Sequence, residues 1–92
     1  MRILLAERFQ KNLRKLSPSQ RARIFETVLE IPKLVKNTRR HTGAGLRKIH
    51  KSGIYEARAG LGLRLVFAFR DGDLILAVVG SHDQVRKYLS VL

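Results

Sequence analysis

The dipeptide Asp71-Gly72 stands between two strand-like runs and constrains the fold of this chain more than any other feature. Residues 63–70 alternate between two faces, one of leucine and phenylalanine and the other carrying Arg64 and Arg70. Residues 74–80 are nearly all apolar, as expected for a central strand that is buried on both faces. Asp-Gly between two such runs favours a two-residue turn. The sequence therefore predicts an antiparallel hairpin inside a sheet.

The remaining elements follow from periodicity and from capping residues. Strands are expected at residues 2–6, 46–50 and 54–59, and helices at residues 7–16, 18 to about 31, and 81–92. Ser17 suits the N-cap of the second helix, Pro18 its first position, and Gln20 completes a capping box. Pro32 is expected to end or kink that helix, with a further turn through residues 34–35. The expected apolar stripe of this helix comprises Phe25, Val28, Leu29 and Ile31.

These elements predict a single α+β domain over residues 1–92. An N-terminal strand and a helical hairpin would pack on an antiparallel meander, and a short helix would close the chain. Cysteine is absent, so neither a disulfide framework nor a thiolate metal site is expected. The first apolar run is too short for a signal peptide, and no segment is long enough to cross a bilayer. A cytoplasmic protein without a membrane partner is expected.

Charge is the dominant bulk property of the chain. It has 19 Lys and Arg against 7 Asp and Glu, which gives a formal net charge of +12. Such an excess favours a nucleic-acid partner, because neutralising phosphates releases counterions and drives binding. A generally basic protein, or one that is held by an acidic partner, also fits. The cations concentrate between Ile31 and Tyr55, where no acid occurs: Lys33, Lys36, Arg39, Arg40, Arg47, Lys48 and Lys51, with His41 and His50 among them.

Charged side chains also interrupt the apolar sheet. Arg58, Arg64 and His82 fall on or beside strands, where a charge has little reason to lie unless it faces water or a ligand. In so basic a chain that ligand is an anion. The alternatives are ordinary ones: Arg64 as a surface arginine on the polar side of its strand, Arg58 in an ion pair with Glu56, and His82 as an exposed residue that starts a helix.

Three local patterns lie in the second half of the chain, in this order: Tyr55-Glu56-Ala57-Arg58, Gly62-Leu63-Arg64-Leu65-Val66-Phe67, and Val79-Gly80-Ser81-His82-Asp83 with Tyr88 after it. Together with the expected order of elements and the basic charge, they resemble the RelE/ParE superfamily of toxins from bacterial toxin–antitoxin pairs. The resemblance implies the RelE-like fold over nearly the whole chain. It also implies neutralisation by a cognate antitoxin with an acidic, partly helical segment.

The superfamily has two branches with different activities. RelE-like members are endoribonucleases that use no metal or other cofactor and cut mRNA in the ribosomal A site. ParE-like members share the fold, inhibit DNA gyrase and lack the nuclease residues. His82 together with Arg64 and Tyr88 favours the RelE-like branch. A ParE-like inhibitor and an inactive RNA-binding domain remain the alternatives.

The resemblance assigns roles to individual residues. Arg64, and with it Arg58, would stabilise the charge on the scissile phosphate, and His82 would protonate the leaving oxygen. Tyr88 would stack on a base or assist the chemistry, although a core aromatic at that position is as plausible. His50 is the expected base, and Glu56 is its rival. Further phosphate contacts are expected from Lys48, Lys51, Arg47, Arg39 and Arg40. The family's lysines in the Glu56 strand are missing here, which argues against the lysine-based mechanism.

Overall fold

The computed structural model describes residues 2–36, 46–50, 53–60 and 62–91, with the backbone alone for 34–36 and 46–50. Five strands form one sheet in the order β1-β5-β4-β3-β2. The strands are β1 (Ile3–Leu5), β2 (Leu46–His50), β3 (Ile54–Arg58), β4 (Arg64–Arg70) and β5 (Asp73–Gly80), and the helices are α1 (Glu7–Arg14), α2 (Pro18–Lys36) and α3 (His82–Leu89). Strands β2 to β5 form an antiparallel meander, and β1 pairs with β5 in parallel. The predicted α+β architecture is confirmed.

The β4–β5 hairpin forms as the sequence predicts. Asp71 and Gly72 both have positive φ, at 52° and 81°, which is what a type I′ turn requires. Arg70 and Asp73 pair directly at the base of this turn. The mirror-image turn suits the right-handed twist of the two strands, so Asp71-Gly72 fixes where the register begins.

The register of β4 and β5 shifts once, in the middle of the hairpin. Val66 pairs with Val78, but Phe67 pairs with Leu76, so Ala77 is an extra residue in β5. A bulge of this kind resets the alternation of side chains along the strand. As a result Leu76 and Val79 face one side of the sheet, whereas Val78 packs on the other.

The sheet separates two apolar clusters of unequal size. The larger cluster joins α1 and α2 to one face through Phe9, Ile24, Val28, Ile31, Ala57, Ala59, Leu65, Phe67, Leu74, Leu76 and Val79. Phe67 lies at its centre, stacked on Tyr55 with ring centroids 5.7 Å apart and edge-on to Phe69 at 5.9 Å. The smaller cluster joins α3 to the opposite face through Val66, Val78 and Val85. A short helix with one buried side chain therefore covers the second face.

The predicted stripe of α2 is wrong in part. Phe25 and Leu29 are 44% and 69% exposed, whereas the predicted Val28 and Ile31 are buried together with Ile24. These three buried positions follow the i, i+4, i+7 spacing of one helical face, and each neighbour one residue later is rotated by about 100°. The predicted end of the helix at about residue 31 is wrong, because one helix continues past Pro32 to Lys36, and it includes the predicted further turn through residues 34–35.

The start of α2 is the capping box that the sequence predicts. The Gln20 backbone N–H donates to Ser17 Oγ at 3.2 Å, and the Ser17 backbone N–H donates to Gln20 Oε1 at 2.9 Å. These two bonds satisfy N–H groups that have no partner inside the helix.

An ion pair fixes the parallel strand β1 to β5. Arg2 donates to both carboxylate oxygens of Asp73, from Nε at 3.2 Å and from Nη2 at 2.8 Å. Hydrogen bonding to Arg2 lowers the pKa of the Asp73 carboxyl below its ordinary value, and the charge of Arg2 acts in the same direction. Because the folded-state pKa is depressed, the pair stabilises the fold above the ordinary carboxyl pKa and loses this effect as pH falls through the depressed value.

We expect Asp73→Asn to lower the free energy of unfolding at neutral pH, and the difference from the parent to vanish as pH falls through the depressed folded-state pKa of Asp73. Urea unfolding over a pH series measures the difference. Glu7→Gln is the matched control, because Glu7 makes only an exposed i,i+4 pair with Lys11 at 3.5 Å and should matter little. A stability difference that stays constant with pH would contradict the assignment.

Candidate functional site

Arg58 and Arg64 stand opposite each other across β3 and β4, and Arg64 stands opposite Gly80 of β5. Residues that pair across a sheet share a face. Arg64 alternates with Leu65 and so shares the face of Val66, which packs against α3. Both arginines therefore lie on the α3 side of the sheet, at the end where β5 finishes. We call Arg58, Arg64 and Gly80 the arginine row.

The bulge at Ala77 places Gly80 in this row. Without the extra residue, Gly80 would lie on the same face as Leu76, which is the face that packs against the helical hairpin. The bulge moves it to the α3 side, where the chain leaves β5 and begins α3 at His82. His82, the first residue of α3, thus follows Gly80 of the arginine row by two residues.

His82 is accessible to a ligand. Its side chain is 55% exposed, and Nδ1 lies 3.5 Å from Oδ1 of Asp83, which is itself almost fully exposed. An exposed contact of that length holds the ring weakly. The contact with Asp83 therefore leaves the imidazole able to change its orientation.

A capping box fixes the position of the helix that carries His82. The Gln84 backbone N–H donates to Ser81 Oγ at 3.2 Å, and the Ser81 backbone N–H donates to Gln84 Oε1 at 2.8 Å. Gly80 lies directly under this box, because a Cβ at Gly80 would lie 2.5 Å from Gln84 Oε1 and 3.1 Å from Gln84 Cβ. The cap and the absence of a side chain at Gly80 together determine where α3 begins.

Glu56 lies one step further along β3, on the same face as the arginines. It is 3% exposed and forms an ion pair with Nη1 of Arg64. The side chain of Arg64 stays 25% exposed to solvent. The ion pair that the sequence suggested for Arg58 is thus made by Arg64.

Tyr88 packs against the small cluster of Val66, Val78 and Val85 and is half-buried. The guanidinium carbon of Arg8 lies 5.2 Å from the centre of its ring, a cation–π contact that joins α1 to α3. This arrangement favours the packing alternative for Tyr88, since the ring helps to fix α3 on the sheet.

The structure describes some of the basic residues that precede β3. Arg47, Lys48 and His50 belong to β2, and their register partners are Glu56, Tyr55 and Ile54. Arg58 and Ile54 are four residues apart on β3, so the strand position of His50 is about 13 Å along the sheet from the arginine row. Lys51, Arg39 and Arg40 lie outside the described residues.

A cleft of about 200 Å³ lies between α2 and the end of β3. The end of β3 at Ala57, Arg58 and Gly60 closes it on one side, and Arg23 lines it together with two carboxylates, Glu26 and Glu30. This mixed charge does not favour a phosphate, so the cleft is not part of the proposed site.

Similarity to solved structures supports the RelE-like assignment of the fold. A chain of the archaeal RelE–RelB complex from Pyrococcus horikoshii OT3 gives a TM-score of 0.65 at 18% identity, over 87% of this chain and 92% of that chain. The intact E. coli RelBE toxin–antitoxin complex gives 0.62 at 23% identity, over 87% and 94%. The E. coli DinJ–YafQ complex gives 0.67 at 16% identity, over 92% and 98%.

The chain has the RelE-like toxin fold. No protein-family model matches the sequence, and no curated protein matches it either. Within the part of the chain that the structure describes, no helix is long and apolar enough to cross a membrane.

The sequence did not anticipate two contacts of the first helix on this RelE-like fold. One is the Arg8–Tyr88 contact, and the other is a hydrogen bond from the Val79 backbone N–H to Asn12 Oδ1 at 3.2 Å. β1 pairs only with residues 74–76 of β5, so the far part of β5 needs another acceptor. A polar residue inside the first helix gives no signal of this kind, because its partner lies 67 positions away.

We expect Gly80→Ala to displace Gln84 Oε1 from the Ser81 N–H, weaken the capping box of α3 and lower the free energy of unfolding by about 1 kcal/mol, the scale of one helix-capping hydrogen bond. Amide hydrogen exchange of residues 82–89 should increase. Gln84→Ala is the matched comparison, because it removes the same hydrogen bond without adding bulk at position 80 and should reproduce the effect. If Gly80→Ala exchanges and unfolds like the parent, the close approach of Gln84 does not control this helix.

Proposed function

We propose that this chain is a ribosome-dependent, metal-free endoribonuclease toxin that cleaves mRNA in the ribosomal A site and is neutralised by an acidic antitoxin. The observation that carries the proposal is the arginine row, with His82 on the helix that starts two residues beyond it. Two arginines at directly opposite strand positions repel each other, and the single carboxylate of Glu56 leaves a net positive charge there that an anion would compensate. A phosphodiester is an anion of the required shape and charge.

The proposed reaction is attack of a 2′-OH on the adjacent phosphorus. The bond between O2′ and phosphorus forms, the bond between phosphorus and O5′ breaks, and the products are a 2′,3′-cyclic phosphate and a free 5′-OH. Arg58 and Arg64 would bind the non-bridging oxygens and stabilise the charge that develops on the phosphorane. Their guanidinium groups stay charged throughout, so they act as electrostatic stabilisers and transfer no proton.

His82 is the proposed general acid. A protonated imidazole can donate its proton to the departing O5′, and imidazole titrates close to neutral pH. The exposure of His82 and its weak contact with Asp83 support this role, since the ring must approach the substrate. The proposed base is His50, and because its strand position lies about 13 Å along the sheet from the arginine row, the RNA would have to lie on the sheet face between the two. The rival, Glu56, is paired with Arg64 and buried, which supports a different role for its carboxylate.

Charge supports the RNA partner. The net charge of +12 favours binding to the ribosome and its mRNA, and we propose that Arg47, Lys48, Lys51, Arg39 and Arg40 contribute phosphate contacts. Affinity for the programmed ribosome should then fall steeply as salt concentration rises, because each neutralised phosphate releases counterions.

Exposed apolar side chains support the antitoxin partner. Phe25 and Leu29 project from α2, and the edge strand β1 exposes Ile3, Leu4 and Leu5 by 40–43%. Solved complexes of this fold are toxin–antitoxin pairs. We propose that an acidic, partly helical antitoxin segment covers such apolar surface while its charge complements that of the toxin.

The deciding experiment adds purified protein to ribosomes programmed with mRNA and maps the new 5′ ends. We expect the parent to cleave the mRNA. His82→Ala should cleave at least about 100-fold more slowly, which is the scale of general acid catalysis. Arg64→Ala should fall by a similar factor because it removes a charged donor to the phosphorane.

Matched controls come from the same elements. Arg70→Ala removes an arginine from the same strand and face as Arg64, at its other end, and Asp83→Asn changes the exposed neighbour of His82. Both should cleave at nearly the parental rate. Intact mRNA together with blocked gyrase supercoiling would replace the nuclease proposal by the ParE-like alternative. Parental cleavage by His82→Ala would remove the acid assignment.

A further inference from the structure

Glu56 is the one charged side chain that is buried among those the structure describes. Burying a carboxylate is expensive unless a cation and hydrogen bonds compensate it. Here the compensation includes Arg64, whose Nη1 contacts Glu56 Oε1. The pair joins neighbouring strands, because Glu56 pairs with Val66 in the register and Arg64 stands two residues before Val66.

Like charges face each other beside this carboxylate. Arg58 is the direct register partner of Arg64, and like charges at directly opposite positions of a sheet repel. Glu56 lies two residues before Arg58 on the same face of β3, and so next to both cations. Its negative charge offsets the repulsion between them. A buried acid at this position makes the arginine row compatible with a folded sheet.

We infer that Glu56 is a positioning residue that holds the guanidinium of Arg64 in one orientation. A guanidinium presents five N–H donors in a rigid planar fork, so fixing one nitrogen fixes the directions of the others. The side chain of Arg64 is 25% exposed, so the donors that Glu56 does not use can meet an anion from solvent. They are then directed, before any substrate arrives, to where a phosphate would bind beside Arg58.

This inference rests on the proposed function for its catalytic meaning but not for its structural content. Preorganised donors accelerate a reaction because they need not reorient when charge develops. A role limited to folding would affect stability but leave the chemistry of the folded protein unchanged. A role as general base would make cleavage depend on Glu56 even in the absence of Arg64.

The first test measures the orientation of Arg64 directly and needs no nuclease activity. Nitrogen-15 NMR of the arginine side chains reports rotation about the Nε–Cζ bond. We expect slow rotation for Arg64 in the parent, and fast rotation in Glu56→Gln, equal to that of the exposed Arg70. Fast rotation of Arg64 in the parent, or no change in Glu56→Gln, would overturn the inference whatever the enzyme does.

The second test separates positioning from folding and from base catalysis on programmed ribosomes. Glu56→Gln should lower the maximal cleavage rate by about 10- to 100-fold, the value of a hydrogen bond to a charged group, while the ribosome concentration for half-maximal rate changes little. In the Arg64→Ala background, Glu56→Gln should cost almost nothing. Full additivity of the two substitutions, or a change in half-maximal concentration alone, would contradict positioning.

Two further variants show whether a lower cleavage rate is caused by loss of the fold. Glu56→Asp keeps the charge but shortens the side chain, and it should show the same loss of rate with an intact thermal transition if the carboxylate no longer reaches Arg64. Glu7→Gln removes an exposed acid from α1 and should leave rate and rotation unchanged. A folded Glu56→Asp with fast Arg64 rotation and the parental rate would also refute the inference.

Discussion

The pairing of β4 with β5 is the constraint on which the rest of the structure depends. The turn at Asp71-Gly72 fixes the start of the register, and the bulge at Ala77 changes it once. This ladder separates the core under the helical hairpin from the small cluster under α3. The bulge then aligns Gly80 with Arg64, so the end of the strand and the start of the last helix converge on the charged face. Fold and candidate site thus have a common origin.

The sheet tolerates charged side chains on this face because charges of opposite sign lie next to each other there. Arg58 and Arg64 repel, Glu56 attracts both, and the remaining positive charge is open to solvent and to an anion. A substrate phosphate would complete the compensation that Glu56 begins. The same reasoning separates this row from the cleft beside α2, where the carboxylates of Glu26 and Glu30 line the same space as Arg23. Under the proposed function, net charge would attract RNA to the molecule, whereas local imbalance would select where a phosphate binds.

Sequence reasoning succeeded where the signal is local. Alternation along β4, the Asp-Gly turn and the Ser17 capping box are each contained within a few residues. It failed for Phe25 and Leu29, because apolar residues occupy two faces of α2 and periodicity does not say which face meets the sheet. The sequence did not predict the bulge, because it lies within residues 74–80, where nearly every residue is apolar and no alternation marks the two faces. The pairing of Arg64 with Glu56 depends on register across Gly60 and Gly62, which no local pattern specifies.

The account's central claim is that the arginine row and His82 promote attack by a 2′-OH on the neighbouring phosphate. Its most direct test is the cleavage of ribosome-bound mRNA that carries one 2′-deoxynucleotide on the 5′ side of the mapped cut, compared with the all-ribose message. The account predicts that cleavage at that position disappears, while the all-ribose message yields a 2′,3′-cyclic phosphate and a 5′-OH. Equal cleavage of the two messages would contradict it.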